Sequence, residues 1–174
     1  MNMISLLAGT ILILIVSWFL SIKHKRYHGI PRFFSFESIF ILTLLNYRVW
    51  FEAPLSPLQI LSWLLLVFSI YPVLSGYYLL TRRGNPDANF ENTSNLVKTG
   101  IYSKIRHPLY LSLFLLGTGI MLKDPGTIQI ILGVINLTAV IVTSRIEEKE
   151  MISKFGKEYV KYISETKMFV PYVI

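Results

Sequence analysis

The sequence predicts an all-α fold: an integral membrane bundle of about five transmembrane helices with a cytosolic C-terminal amphipathic helix. Three observations carry this. The chain is 53% hydrophobic with a mean hydropathy of +0.54, beyond what an ordinary soluble domain carries. Its apolar residues fall in long, nearly uncharged runs, and a helix needs about 20 such residues to cross a bilayer. Its basic residues gather in three of the connecting segments, which is the charge asymmetry of a multi-pass topology. At 174 residues the chain is read as one domain, residues 1–93 forming helices 1–3 and a loop and residues 94–174 a functional core.

Composition also excludes classes of chemistry. There is no cysteine, so disulfides, thiolate nucleophiles and cysteine zinc sites are absent. The net charge of +7 clusters beside apolar runs and forms no nucleic-acid footprint. No metal site is expected: His24 and His28 are four apart, but no ligand-type carboxylate cluster lies nearby, and they are read as surface histidines.

Helix 1 is expected over Ile4–Ile22. The basic cluster follows it instead of preceding it and no small-residue cleavage site ends it, so it is read as a retained helix. The run Lys23 to Arg32 is read as a basic loop closed by Gly29 and Pro31. Helix 2 is expected over Phe36–Phe51, with Glu37 and Arg48 as candidates for an intramembrane pair. Helix 3 is expected over Leu58–Leu80, opened by Pro57 and kinked at Pro72. Thr81 to His107 is the longest polar stretch, with turn chemistry at Asn85 to Phe90 and Asn92 to Asn95. Helix 4 (Pro108–Leu122), a Lys123-Asp124-Pro125-Gly126 turn and helix 5 (Thr127–Thr143) form an apolar hairpin, short for a full crossing.

This layout places Lys23, Lys25, Arg26, Arg32, Arg82, Arg83, Lys98, Lys104, Arg106 and the six basic residues from Arg145 to Lys167 on one side. Only Arg48 and Lys123 fall opposite, so the N-terminus is expected outside and the C-terminus in the cytosol. The tail from Arg145 to Ser164 reads as one amphipathic helix, with Met151, Phe155, Tyr159 and Tyr162 on one face and Glu150–Lys154 and Lys154–Glu158 as i,i+4 pairs.

Two polar motifs flank the hairpin and return to the same membrane face. In Arg106-His107-Pro108-Leu109-Tyr110, the residue before proline avoids the α region, so His107 sits just outside helix 4 and Pro108 opens it. The free amides of Leu109, Tyr110 and Leu111 then face the cytosol, a place that favours an anion such as a carboxylate. A basic helix end that merely meets lipid headgroups fits the same residues. In the second motif, Glu147 and Glu148 project about 100° apart, so at most one points fully into a pocket. An acid there balances a cationic ligand or pairs with Arg106; a solvated charged face is the plainer reading. Gly117-Thr118-Gly119 reads as a close helix-packing segment.

Taken together, Asn95-Leu96-Val97-Lys98-Thr99-Gly100-Ile101-Tyr102, Arg106-His107-Pro108-Leu109-Tyr110, Glu147-Glu148, and Phe155-Gly156-Lys157-Glu158-Tyr159 with Tyr162 and Pro171 occur in an order that resembles the isoprenylcysteine carboxyl methyltransferase and phospholipid methyltransferase superfamily. The likeness spans about residues 94–172, and the tail looks more like the carboxyl methyltransferase branch. It implies S-adenosyl-L-methionine as cofactor, in contact with Asn95, Leu96, Val97, Tyr102, His107, Pro108, Leu109, Tyr110, Glu147 and Glu148. It also implies a basic residue facing the substrate, for which Arg145 and Arg106 are the candidates. The partners implied are membrane lipids and a lipid-like or prenylated acceptor, with no nucleic acid. Carboxyl O-methylation leads; N- or S-methylation of a lipid amine or small thiol, and a non-enzymatic membrane protein, stay open.

Overall fold

The computed structural model describes residues 3–87 and 90–171. Its described residues form α1 (Met3–Leu20), α2 (Gly29–Asn46), α3 (Pro57–Arg83), α4 (Pro108–Met121), α5 (Thr127–Phe155) and α6 (Lys157–Glu165). They contain no β-strand, only isolated bridges pairing Pro86 with Thr93 and Ile105 with Lys167. The all-α membrane bundle expected from the sequence is what the chain adopts. Among the described residues, three segments are long and apolar enough to cross a membrane: Met3–His24, Pro57–Arg83 and Thr127–Phe155. α4, with 14 residues, is shorter.

α3 packs against α4, and α2 against α5, with α4 also touching α2 and α5; α1 leans on α2. α1 is accordingly the most lipid-like surface, with Leu7, Ile11, Leu12, Trp18 and Phe19 all exposed. Between packed membrane helices little apolar driving force is left, so close approach and interhelical hydrogen bonds carry specificity. Both are present. A Cβ on Gly119 would meet Leu66 at 3.0 Å, and one on Gly117 would meet Asn136 Nδ2 at 2.2 Å. Ser62 Oγ donates to the Gly119 carbonyl at 2.7 Å, Ser112 Oγ to the Ser69 carbonyl at 2.7 Å, and Asn46 Nδ2 to the Ile120 carbonyl at 2.8 Å. Asn136 joins three helices: it accepts from Ser35 Oγ at 2.6 Å and donates to the Leu113 carbonyl at 3.1 Å.

The sequence reading needs correction at several points. α2 begins at Gly29, seven residues before the expected Phe36, and ends at Asn46. Pro31 lies in its first turn, where a missing N–H costs nothing, so proline opens this helix and does not close the preceding loop. The tail is not one helix. α5 runs from the membrane to Phe155, and Gly156, at φ 57° and ψ −132°, breaks it before α6. Only glycine adopts that backbone freely. Glu37 does not pair with Arg48: it accepts from Thr10 Oγ1 at 2.6 Å, whereas Arg48 Nε donates to Tyr47 Oη at 2.8 Å. The expected i,i+4 pairs give way to tertiary ones, Lys154 donating to Asn92 at 2.9 Å and Glu158 accepting from Lys98 at 2.6 Å. Pro72 lies inside α3, buried among the helices. The turn chemistry expected at Ala88 and Asn89, and the last residue of the family likeness, Tyr172, lie outside the described residues.

Asn136→Leu is expected to lower stability in detergent by about 1 kcal/mol, because it leaves the Ser35 hydroxyl without its acceptor and removes the extra bond to the Leu113 carbonyl. Thermal unfolding of the two purified proteins measures it; equal melting would show that Asn136 is not a structural tie.

Candidate active site

The site lies where four segments meet at the basic end of the bundle: residues 26–32, residue 91, the start of α4 and residues 147–162. His107 is the N-cap of α4, at φ −123° and ψ 60°, outside the α region as a residue before proline must be. Its backbone is held by the chain's last described segment: Arg106 N donates to the Lys167 carbonyl at 2.8 Å and His107 N to the Met168 carbonyl at 3.1 Å. Leu111 N is taken by the His107 carbonyl at 3.0 Å, so of the three first-turn amides expected to be open, this one is used inside the helix.

The His107 ring is 4% exposed and lies between two acids. Nδ1 is 3.3 Å from Glu147 Oε2 and Nε2 is 3.3 Å from Glu148 Oε1. Donation at both nitrogens requires the imidazolium. The ring stacks on Tyr110, with centroids 5.5 Å apart and planes at 19°. Glu148 also accepts from Arg106 Nε at 2.6 Å, while Arg106 Nη1 donates to the Thr166 carbonyl at 2.5 Å. Glu147 also accepts from Arg26 Nη2 at 3.2 Å.

A second group of charges, missed in the sequence reading, completes this cluster. His28 is not a surface residue: it is fully buried, with Nδ1 2.7 Å from Glu150 Oε2 and Nε2 3.5 Å from Glu91 Oε2. Arg26 reaches Glu150 at 3.4 Å and donates to the Glu91 carbonyl at 2.6 Å. Arg32 is paired with Glu91 and donates to Ser21 Oγ at 2.6 Å. One signal for this group was legible. Glu147 and Glu150 stand three apart on α5, hence on one helix face, and a face with two buried acids needs cations from elsewhere.

A cavity opens beside the cluster. Among its lining residues are Arg32, Glu91, Leu96, Val97, Tyr102, Arg106, His107, Pro108, Leu109, Tyr110 and Glu147. Met151, Phe155, Tyr159 and Tyr162 also line it, so the apolar face expected for the tail faces this cavity. The Gly156 break lets α5 and α6 both contribute to it. Tyr162 Oη donates to the Tyr102 carbonyl at 2.6 Å, which ties α6 to the turn at residues 100–103. A Cβ on Gly76 would lie 2.5 Å from Leu109 and 3.4 Å from Tyr102 Oη, so glycine lets α3 approach closely enough to close the wall.

Of the site residues expected from the sequence, the structure therefore brings together Leu96, Val97, Tyr102, Arg106, His107, Pro108, Leu109, Tyr110 and Glu147 around one cavity. Glu148 stands behind it, holding Arg106 and His107. Asn95 and Arg145 are exposed and outside the lining.

Residues 58–158 match the phospholipid methyltransferase family, and the chain belongs to that family. A protein-S-isoprenylcysteine O-methyltransferase of Saccharomyces cerevisiae is 35% identical over 85 residues, covering 48% of this chain and 35% of that protein. The chain thus spans about a third of the length of this curated relative. No solved structure matches it.

Burial disfavours a charged His107, but its contacts with Glu147 and Glu148 outweigh this and raise its pKa. The same holds for His28, where burial is opposed by Glu150 and Glu91. Burial would raise the Glu91 pKa; the His28 hydrogen bond and the Arg32 charge bring it below the usual carboxylate value. A raised histidine pKa contributes stability that is full below about pH 6.5 and lost as pH rises through the folded value. A lowered carboxylate pKa contributes stability that is full above about pH 4.3 and lost as pH falls through the folded value. The melting temperature in detergent is therefore expected to decline as pH is raised from neutrality toward 9, and His28→Gln to melt lower with a shallower decline. A flat profile for the wild type would mean that neither imidazole is charged in the native protein.

Proposed function

We propose that this chain is a membrane methyltransferase that uses S-adenosyl-L-methionine to methylate the carboxylate of a lipidic acceptor, most like a prenylated cysteine. The observation that supports the reading is the pairing of the acids that line the cavity, Glu91 and Glu147, and of those in the cluster beside it, Glu148 and Glu150. Glu91, Glu147, Glu148 and Glu150 each face at least one arginine or histidine. An acid held in this way is a poor proton acceptor. A carboxylate acceptor is already ionised at neutral pH and needs no base, whereas a protonated lipid amine must first lose a proton.

The residues present fit the cofactor. The first turn of α4 begins with Pro108, and the following Leu109 and Tyr110 line the cavity, so their amides and the positive end of the helix suit a carboxylate. Glu147 is engaged by two cations, but a carboxylate offers about four acceptor positions, and those left suit an ammonium group. Leu96, Val97 and Tyr102 supply the apolar walls that suit an adenine ring. When bound, the cofactor supplies an electrophilic methyl group on a sulfonium. The chain's own part is positional. His107, clamped by Glu147 and Glu148, holds the acid face of α5 against the start of α4. Tyr159 and Tyr162, from α6, cover the cavity and exclude water. Direct displacement depends mainly on such alignment.

The orientation proposed is an outside N-terminus with the cavity, α6 and the basic connections in the cytosol, where a soluble cofactor is available. A tail-bearing acceptor reaches the same place from the bilayer.

Isothermal titration of the detergent-purified chain with S-adenosylmethionine and S-adenosylhomocysteine tests the reading. Both are expected to bind the wild type, and Glu147→Gln to weaken binding by at least about thirtyfold, the cost of removing one partner of a buried charge pair. Wild-type affinity in a folded Glu147→Gln protein would remove Glu147 from the cofactor site.

A further inference from the structure

The cavity has three cationic side chains in its wall: Arg32, Arg106 and His107. Two of them are engaged with the acids of α5. Arg106 spends Nε on Glu148 and Nη1 on the carbonyls of Ile163 and Thr166. His107 spends both ring nitrogens on Glu147 and Glu148.

Arg32 differs. It is 3% exposed, its Nη1 is paired with Glu91 and its Nη2 donates to Ser21 Oγ. Its Nε has no hydrogen-bond partner although it is buried. A guanidinium carries five N–H donors and is not deprotonated in proteins, so a buried one left partly unsatisfied is costly. Nor is its charge matched one for one. The Glu91 carboxylate also faces Arg26 at 4.0 Å and His28 at 3.5 Å. Phe36, with its ring centroid 5.6 Å from the guanidinium carbon, backs the group on the bundle side. The first turn of α2 and the contact with Ser21 fix its position, so it is presented to the cavity by a rigid element.

We infer that Arg32 binds the anionic group of the methyl acceptor, and so sets the enzyme's preference for acidic lipids. This rests on the methyltransferase site proposed above. A planar guanidinium suits a carboxylate or a phosphate equally, through two N–H donors to two oxygens. If the anion is the acceptor carboxylate, Arg32 holds one oxygen while the other is free to form the new bond to carbon. The carbon–sulfur bond of the donor then breaks with its electron pair on sulfur, and no proton is released. If the anion is a phospholipid phosphate, Arg32 anchors the headgroup, the methyl goes to the headgroup nitrogen, and the ammonium proton leaves to water before the new bond forms.

The test uses the full chain in detergent, with N-acetyl-S-farnesylcysteine and phosphatidylethanolamine as acceptors and S-adenosylhomocysteine as a binding probe. The carboxamide of the farnesyl compound, which keeps the tail and loses the charge, serves as an inhibitor. Arg32→Lys is expected to bind S-adenosylhomocysteine as the wild type does, with kcat/KM for the acceptor at least about tenfold lower, because the point charge cannot make the paired contact. The wild type is expected to prefer the acid over the carboxamide by at least about thirtyfold, and Arg32→Gln to lose that preference. Equal dependence on Arg32 with phosphatidylethanolamine as the sole substrate assigns the anion as phosphate and upholds the inference. Unchanged acceptor kinetics in Arg32→Lys, or an acid preference that survives in Arg32→Gln, overturns it while leaving the cofactor site standing. So does joint loss of cofactor binding and turnover, which would make Arg32 structural. Absence of S-adenosylhomocysteine binding in the wild type removes the cofactor site itself, and transfer to neither acceptor by protein that binds the probe removes an anionic lipid as the ligand of Arg32.

Discussion

The rest of the structure depends on one balance of charge. Arg26, Arg32, Arg106, His28 and His107 are interleaved with Glu91, Glu147, Glu148 and Glu150 in a cluster whose members are mostly buried. Each isolated charge would cost several kcal/mol to bury, and truncating one partner leaves the other exposed to that cost. The cluster therefore does not add stability so much as make alternatives expensive. A chain in which α5 slid by one turn, or in which residues 26–32 failed to reach α5, would bury unpaired charge. The helices supply the bulk of the packing; the charges specify which packing.

The membrane part follows a different rule. Its interfaces are joined by hydroxyls and amides, as between Ser62 and Gly119 or between Asn136 and its two neighbours, and glycines allow the backbones to come close. The two regimes meet at the start of α4. There Gly76 admits Leu109 and Tyr102 against α3, while His107, two residues before Leu109, enters the ionic cluster. The cavity is formed at this boundary. Apolar walls come from the bundle and charged ones from its rim.

Much of this was legible in the residues. The apolar runs marked α1, α3 and α4 to within a few positions and the start of α5, though not its end at Phe155, and the proline after His107 marked the start of α4. The return of the hairpin placed His107 beside Glu147, because an uncharged segment flanked by polar motifs has to bring them to one face. The aromatic stripe of the tail was visible as periodicity, and it lines the cavity. What stayed hidden has a common cause. A basic run after an apolar helix reads the same whether its members meet lipid headgroups or buried acids, so Arg26, His28 and Arg32 looked like topology signals. Glu91 stood alone in a polar loop and carried no pattern at all. The Gly156 break was masked because the stripe keeps its phase on both sides of it, and the start of α2 was missed because Gly29 and Pro31 also close loops.

The short backbone pairing between residues 104–107 and 167–168 bears on biosynthesis. Every apolar helix leaves the ribosome before the chain segment that holds the backbone of His107. Residues 26–32 emerge first among the site's parts and wait through more than a hundred residues of synthesis for Glu147 and Glu150. During that interval the early arginines have water or headgroups for company, and membrane insertion can proceed without a finished site. Assembly of the cavity is then a late folding step at the bilayer surface, separate in time from integration into the bilayer. A chain halted short of α6 would be inserted but could not close the pocket.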